Sequence, residues 1–367
     1  MADLAKITRG AGHVSTAPGR RAAGWSLWML FLMLFGGPGC LTSPTAANRI
    51  VEAPNIHDSF GVNRATKQLW EHLETNFVVP GTSHPIISLT IPVGPPPAVL
   101  KAVELPPQDY HLDISDKVVP VANGKHNLDF WMMPQTNAPP RPEPPDRHAT
   151  IFVLHGYLLN KETMAGWAFF LAQAGYRVVL VDLRGHGQST GDTVSFGQHE
   201  TEDFRQLLDY LQAHGLCDDT VGVIGYSYGA DLALHWAAHD SRVRAVVAIA
   251  PYNHPEDAIE RLVRELGIHI SHRTVEKALV LASERMNIQW ADWSGEAAIR
   301  QVHVPVLLVG GGKDAISRPD DIATLHAAAA GESTVIEIPM ADHSSIEFWF
   351  HELGEPVLTW FQEKLGR

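Results

Sequence analysis

Cysteine is nearly absent from this 367-residue chain, which holds only Cys40 and Cys217. So few cysteines exclude a disulfide framework and a cysteine-rich zinc site. Positive charge is also scarce. Lys and Arg number 28 against 41 Asp and Glu, a formal net charge of −13. Nothing in the chain neutralises phosphates in bulk, which excludes nucleic acid as a partner. Long apolar runs are missing too: Trp25 to Phe35 is too short to cross a ~30 Å hydrocarbon core unaided, which takes roughly 20 residues. What is present is a chain 45% hydrophobic and 19% charged. That is enough to bury a full-sized core in one large α/β domain with additions, or in two domains.

The first residues read as an address. Arg20 and Arg21 precede the apolar run, and Gly36-Gly37-Pro38-Gly39-Cys40 follows it. A positive flank, a short apolar core and small residues make a secretory signal. Cys40 resembles the lipid-modified cysteine of bacterial lipoproteins, although Gly37 stands where leucine is usual. The arginine pair resembles a twin-arginine signal, with a poor fit in the residues after it. The expectation is export to a bacterial envelope, periplasmic or membrane-anchored through a lipid on Cys40, with residues 1–43 as signal or anchor. Residues 44–107 are expected to be an irregular, proline-rich extension, interrupted by one helix from Asn63 to Phe77. Pro95-Pro96-Pro97 and Pro106-Pro107 neither propagate a helix nor suit a central strand.

From Tyr110 onward the chain alternates. Tyr110 to Ser115 and Asn127 to Met133 read as the first antiparallel strands, separated from the rest by a proline-rich loop from Pro134 to Asp146. Val/Ile/Leu strands at 149–154, 176–181, 221–224, 243–250, 304–310 and 334–338 then alternate with helical segments, the last from Glu355 to Lys364. Such a pattern predicts an α/β fold, a mainly parallel central sheet with helices on both faces. Ligands in these sheets bind beyond the carboxyl ends of the strands.

One strand ends in Gly225-Tyr226-Ser227-Tyr228-Gly229 and runs straight into an Ala/Leu-rich helical segment. G-x-S-x-G between strand and helix places a serine hydroxyl on a sharp, strained turn. Glycines flank it because a side chain there would collide with neighbouring backbone. Free N–H groups at the start of the next helix can hold an oxyanion. Such a serine needs a base and an acid, and the chain order Ser, acid, His offers both. Asp314 follows the strand at 304–310, and His343 follows the strand at 334–338. Asp320 and Asp321 are rivals for the acid, but both suit the cap of the next helix. Asp342 adjoins the histidine, and sequence neighbours point apart too often for it to orient the ring.

A second oxyanion donor belongs after the strand at 149–154, at His155-Gly156-Tyr157. His155-Gly156, Gly175-Tyr176-Arg177-Val178, Asp182-Leu183-Arg184-Gly185-His186-Gly187-Gln188-Ser189 and the Ser227 pentapeptide together resemble the α/β-hydrolase superfamily, notably its monoacylglycerol lipase and serine aminopeptidase-like group. The resemblance runs from about Tyr110 to the C-terminus, giving a hydrolase domain at 108–367. It implies catalytic Ser227, Asp314 and His343, with oxyanion N–H donors at Tyr157 and Tyr228 and no metal or organic cofactor. It also implies that His155, His186, Asp182 and Arg184 are structural, the two histidines bonding loop backbone near the site. Cys217 reads as a small buried side chain. His235 and His239 have i, i+4 spacing but lack the acid of a zinc-binding helix.

Between Pro251 and Val304 the connection is long and helical. Ile259, Leu262, Val263 and Leu266 share one face, and Val275, Ala278, Leu279, Ala282 and Met286 another. The resemblance implies a helical cap at about 252–303; Gly267 and Gly295, the two glycines of the segment, are its expected hinges, and the alternative is helices packed plainly on the sheet. The functional expectation is a serine hydrolase cleaving a carboxylic ester of a small-molecule acyl substrate with an apolar portion. Thioester, amide or peptide cleavage and acyl transfer use the same parts. A binding lipoprotein on a hydrolase fold is the non-catalytic alternative.

Overall fold

The structure is a computed structural model that describes residues 14–15, 42–54, 86–120, 126–135 and 144–366. The expected signal, Cys40 and the helix from Asn63 to Phe77 lie outside the described residues. Among the described residues no helix is long and apolar enough to cross a membrane. In chain order the strands are β1 Val14–Ser15, β2 Ile87–Val93, β3 Ala98–Leu105, β4 Leu112–Pro120, β5 His126–Pro134, β6 Ala149–Leu154, β7 Arg177–Asp182, β8 Thr220–Tyr226, β9 Val243–Ile249, β10 Val306–Gly311 and β11 Ser333–Ile338. The α-helices are α1 Ser43–Val51, α2 Ala165–Gln173, α3 Gln198–Ala213, α4 Tyr228–His239, α5 Pro255–Glu265, α6 His272–Met286, α7 Gly295–Ile299, α8 Pro319–Ala328 and α9 Phe350–Leu365.

Eight strands form the main sheet in the order β11-β10-β9-β8-β6-β7-β3-β2. The six from β6 to β11 pair in parallel, and β3 runs against its neighbours β7 and β2. Side chains alternate across the sheet because a strand has a period of two. On β6, Phe152 and Leu154 join the core cluster that contains Leu207 and Leu211 of α3 and Leu232 and Trp236 of α4. Ile151 and Val153 join the opposite cluster, with Trp167 and Phe169 of α2 and Val357 and Phe361 of α9. Both faces are therefore covered, which explains the nearly unbroken apolar strands.

The expected irregular stretch at 44–107 and the domain boundary at 108 need correction. β2 and β3 form an antiparallel hairpin on the edge of the main sheet, pairing Ile87 with Glu104 through Val93 with Ala98. The prolines do not oppose this. Pro92 sits in β2, the outermost strand, where a missing N–H is tolerated, and Pro95 to Pro97 occupy the turn. Conversely, β4 and β5 do pair antiparallel, with Ser115 opposite Trp131, but with β1 they make a separate small sheet. Asp116 Oδ1 accepts the His351 N–H at 2.6 Å and Phe130 packs on Phe350 at 5.4 Å between ring centroids, so this hairpin lies against the start of α9. That helix begins five residues before the expected Glu355.

The long connection after β9 folds as α5, α6, a short 3₁₀ turn at Trp290–Trp293 and α7. The buried residues of α6 are Val275, Ala278, Leu279, Ala282 and Met286, the face read from spacing. Ser271 Oγ accepts the Thr274 N–H at its start, and Asn287 in the left-handed region ends it. Helix α1 lies on α6, where Arg285 Nη1 donates to the Pro44 carbonyl at 3.1 Å. Just beyond α1, Glu52 bridges Thr193, and the Ala53 N–H bonds Asp192 O at 2.9 Å.

Candidate active site

The pentapeptide from Gly225 to Gly229 spans the end of β8 and the start of α4, at the centre of the sheet. Ser227 takes φ +52°, a strained value for a side-chain-bearing residue, and its N–H bonds Ile249 O at 2.8 Å. Both glycines are required. A Cβ on Gly225 would lie 2.1 Å from Gly229 O, and one on Gly229 2.5 Å from Leu154 O.

Beyond the ends of β10 and β11, two loops meet the serine. His343 Nε2 lies 2.9 Å from Ser227 Oγ, and His343 Nδ1 lies 2.7 Å from Asp314 Oδ2. With its Nδ1 proton facing the carboxylate, the imidazole presents Nε2 as the acceptor for the serine hydroxyl. Asp314 Oδ1 accepts the N–H groups of Ile316 and Ser317, each at 2.8 Å, so the carboxylate is fixed at both oxygens. Asp320 and Asp321 lie elsewhere, in the first turn of α8, where Asp321 accepts the Arg318 N–H at 2.9 Å and pairs with Arg261. Asp342 accepts the hydroxyls of Ser344 and Ser345 and turns its own loop. Tyr228 occupies the first position of α4, where its N–H has no intrahelical acceptor. Tyr157 lies in the turn after β6, and its ring stands 5.7 Å from that of Tyr228.

The loops after β6 and β7, the first of which carries Tyr157, rest on buried polar contacts. His155 Nε2 accepts the Leu183 N–H at 3.0 Å while Nδ1 faces Gly156 O at 2.8 Å, and His186 Nδ1 faces Arg184 O at 2.8 Å. Burial holds both imidazoles down to about 3. Asp182 accepts the Lys161 ammonium at 3.0 Å and the Gln188 N–H at 2.9 Å, and Arg184 pairs with Asp203 through two bonds. His155, His186 and Asp182 bond groups of these loops, and Arg184 ties the second loop to α3 through Asp203. Burial raises the Cys217 thiol to about 11, far from a reactive thiolate. Among the described residues no three His, Cys, Asp or Glu side chains converge as a metal-holding group.

Ser227 and His343 open into a cavity of about 730 Å³. Ala258, Ile259, Leu262 and Leu266 line it from the α5 segment, and Phe130 and Met132 from β5. Gly267, at φ +70° with open space around it, ends the α5 segment, whereas Gly295 lies where a Cβ would stand 2.5 Å from Tyr252 O. The open space suits only Gly267 to a hinge; Gly295 is there for close packing. Sequence reasoning missed the contributions of Phe130 and Met132, the Tyr226 hydroxyl that donates to His343 O, and Glu347 in the cavity wall. Only Glu347 left a signal, a lone acid in the apolar run Ile346 to Phe350.

Comparison with known proteins agrees with this architecture. Residues 72–287 match the family model described as X-Pro dipeptidyl-peptidase (S15 family). An uncharacterized protein of Bacillus subtilis, YqkD, is 33% identical over 27% of this chain and 32% of its own. Epoxide hydrolase B of Mycobacterium tuberculosis is 33% identical over 29% and 30% respectively. The matched stretch thus spans about a third of the length of these two curated relatives. Among solved structures, 2,6-dihydroxy-pseudo-oxynicotine hydrolase superposes with a TM-score of 0.55 at 15% identity, covering 100% of this chain and 87% of that one. The Pyrococcus furiosus esterase Pf2001 superposes with a TM-score of 0.50 at 17% identity, covering 70% and 92%. At such identities the likeness establishes the fold alone.

Proposed function

The chain belongs to the X-Pro dipeptidyl-peptidase (S15) family, and from that premise we propose that it is a serine hydrolase cleaving a carboxylic ester through an acyl-enzyme. The fold is that of the α/β-hydrolases, and a hydrolase of that type is the coarse assignment. The observation that carries the finer reading is the series Ser227 Oγ to His343 Nε2 at 2.9 Å and His343 Nδ1 to Asp314 Oδ2 at 2.7 Å.

In this reading His343 Nε2 takes the proton of Ser227 as Oγ attacks the carbonyl carbon. Asp314 holds the ring in the tautomer that leaves Nε2 free and stabilises the imidazolium. The N–H groups of Tyr157 and Tyr228 receive the oxyanion. His343 then protonates the leaving group, and water, activated by the same nitrogen, releases the acyl group. The apolar side chains of the cavity favour an uncharged acyl or aromatic portion, and α5 acts as part of a cap above the serine.

A second reading, amide or peptide cleavage, is favoured by the description of the matching family. It requires the same residues and a stronger demand on His343 as acid, because an amine leaves only once protonated. Competing p-nitrophenyl esters and Xaa-Pro p-nitroanilides at one enzyme preparation separates the two. The serine reading itself is tested by fluorophosphonate labelling and substitution. Ser227→Ala and His343→Ala should each lower turnover by roughly 10⁶, and Asp314→Asn by roughly 10⁴. Labelling of a residue other than Ser227, or turnover retained in Ser227→Ala, defeats it.

A further inference from the structure

Glu347 stands four residues after His343, in the 3₁₀ turn Ile346–Phe348, and is only 4% exposed although it borders the active-site cavity. Its Oε2 is buried without a hydrogen-bond partner among the described residues. Its backbone carbonyl is bonded, accepting the Trp167 indole N–H at 2.8 Å. Among the described residues no cation compensates the carboxyl, and burial pushes it well above the usual carboxylate range. Glu162, also on the cavity wall, differs in this respect because its Oε1 takes the Lys161 ammonium at 3.1 Å. The cavity that Glu347 borders is also lined by Phe130, Met132, Leu159 and Phe348.

An unpartnered polar atom in such a place costs about 1–3 kcal/mol, and buried polar groups are satisfied almost everywhere else in proteins. A cavity that receives substrate offers a partner that arrives with the substrate. A neutral carboxyl has one O–H donor and one carbonyl acceptor side by side. A carboxamide has the complementary pair, a carbonyl acceptor and an N–H donor, at matching separation. A methyl group leaves the carboxyl unsatisfied, and a carboxylate presents no donor.

We propose that Glu347 is a specificity-determining residue that reads an uncharged carboxamide on the apolar portion of the substrate through a pair of hydrogen bonds. The inference rests on the serine-hydrolase reading above and narrows its substrate class. Apolar walls hold the chain between the reacting carbonyl and the amide, and Glu347 fixes the far end. An orienting contact of this kind raises kcat/KM for the matching chain length and leaves others unchanged.

The test uses the full chain and p-nitrophenyl esters of unbranched acids from butanoyl to octanoyl, ending in a methyl, a primary carboxamide or an ammonium group. At one chain length the carboxamide ester should exceed its methyl-ended counterpart about tenfold in kcat/KM, a factor worth about 1.4 kcal/mol. Glu347→Gln, which keeps a donor and an acceptor, should retain that advantage. Glu347→Leu should abolish it, and circular dichroism together with fluorophosphonate labelling of Ser227 shows that the variant folds. The proposal is overturned if no chain length gives the wild type an amide advantage, if the advantage survives in Glu347→Leu, or if the ammonium ester is preferred. The wild-type series decides even if Glu347→Leu fails to fold. Loss of all ester turnover together with absent labelling of Ser227 would instead sink the underlying hydrolase reading.

Discussion

The Tyr226 hydroxyl donates its hydrogen bond to the main-chain carbonyl of His343. The residue before the candidate nucleophile thus holds the loop that carries the candidate base, across 117 positions of sequence. A variable position of the pentapeptide therefore has a defined task here. Tyr226→Phe keeps the ring that packs over Gly156 and removes only the donor. One neutral hydrogen bond is worth about 1 kcal/mol, so kcat should fall about fivefold with KM nearly unchanged. Steady-state kinetics on a p-nitrophenyl ester measures the split; an unchanged kcat refutes the link.

The buried imidazoles make stability depend on acidity. His155 and His186 are held down to about 3 in the folded chain, mainly by burial, against an ordinary value of 6.5. Between those values the unfolded chain binds more protons, so stability is fully present above about 6.5 and is lost as pH falls toward 3. Each imidazole contributes a slope of about 1.4 kcal/mol per pH unit in that window. Urea unfolding from about pH 7 to about pH 4 should show it, and His155→Gln should flatten the slope by one proton's worth. Comparing the two slopes isolates the imidazole from buried acids such as Glu347, which titrate in the opposite sense. Equal slopes would rule the assignment out.

Acyl length should matter if α5 closes over the site. Values of kcat/KM for p-nitrophenyl esters are expected to rise with chain length until the cavity is filled, by roughly 0.8 kcal/mol, or about fourfold, for each buried methylene. Leu262→Trp takes up cavity space from the α5 side and should move the optimum to shorter esters. A flat profile in both proteins would remove α5 from substrate binding.

Export is proposed from the basic flank, the short apolar run and Cys40. Mass spectrometry of protein purified from its own host is expected to find the chain starting at Cys40 and carrying a lipid. An intact Met1 contradicts cleavage; a cleaved chain with an unmodified cysteine contradicts only the lipid.

Legibility in the sequence followed the range of the interactions involved. Helix α6 was readable because its apolar spacing is unbroken and both ends carry local caps, Ser271 and Asn287. Asp314 and His343 were readable because each follows a strand end in the chain order the chemistry needs, and they lie in hydrogen-bonded series with Ser227. The β2–β3 hairpin was not, because Pro92 and Pro95 to Pro97 argue locally against a strand and only an edge position reconciles them. Gly354 and Pro356 concealed the first turns of α9 in the same way. Phe130 and Met132 reach the cavity only through the docking of a hairpin on α9, a contact with no trace in local pattern.

Helix α1 is fastened at its two ends to different parts of the molecule. Its first turn is held by Arg285 of α6, and the chain just beyond it is stitched to residues 192–194 of the body. Tension applied upstream of Thr42 therefore falls first on the Arg285 to Pro44 bond and the α1–α6 contact, and reaches the central sheet only after these yield. Were the chain moored at Cys40, the force of that mooring would act first on the α1–α6 contact rather than on the loops that carry Ser227, Asp314 and His343.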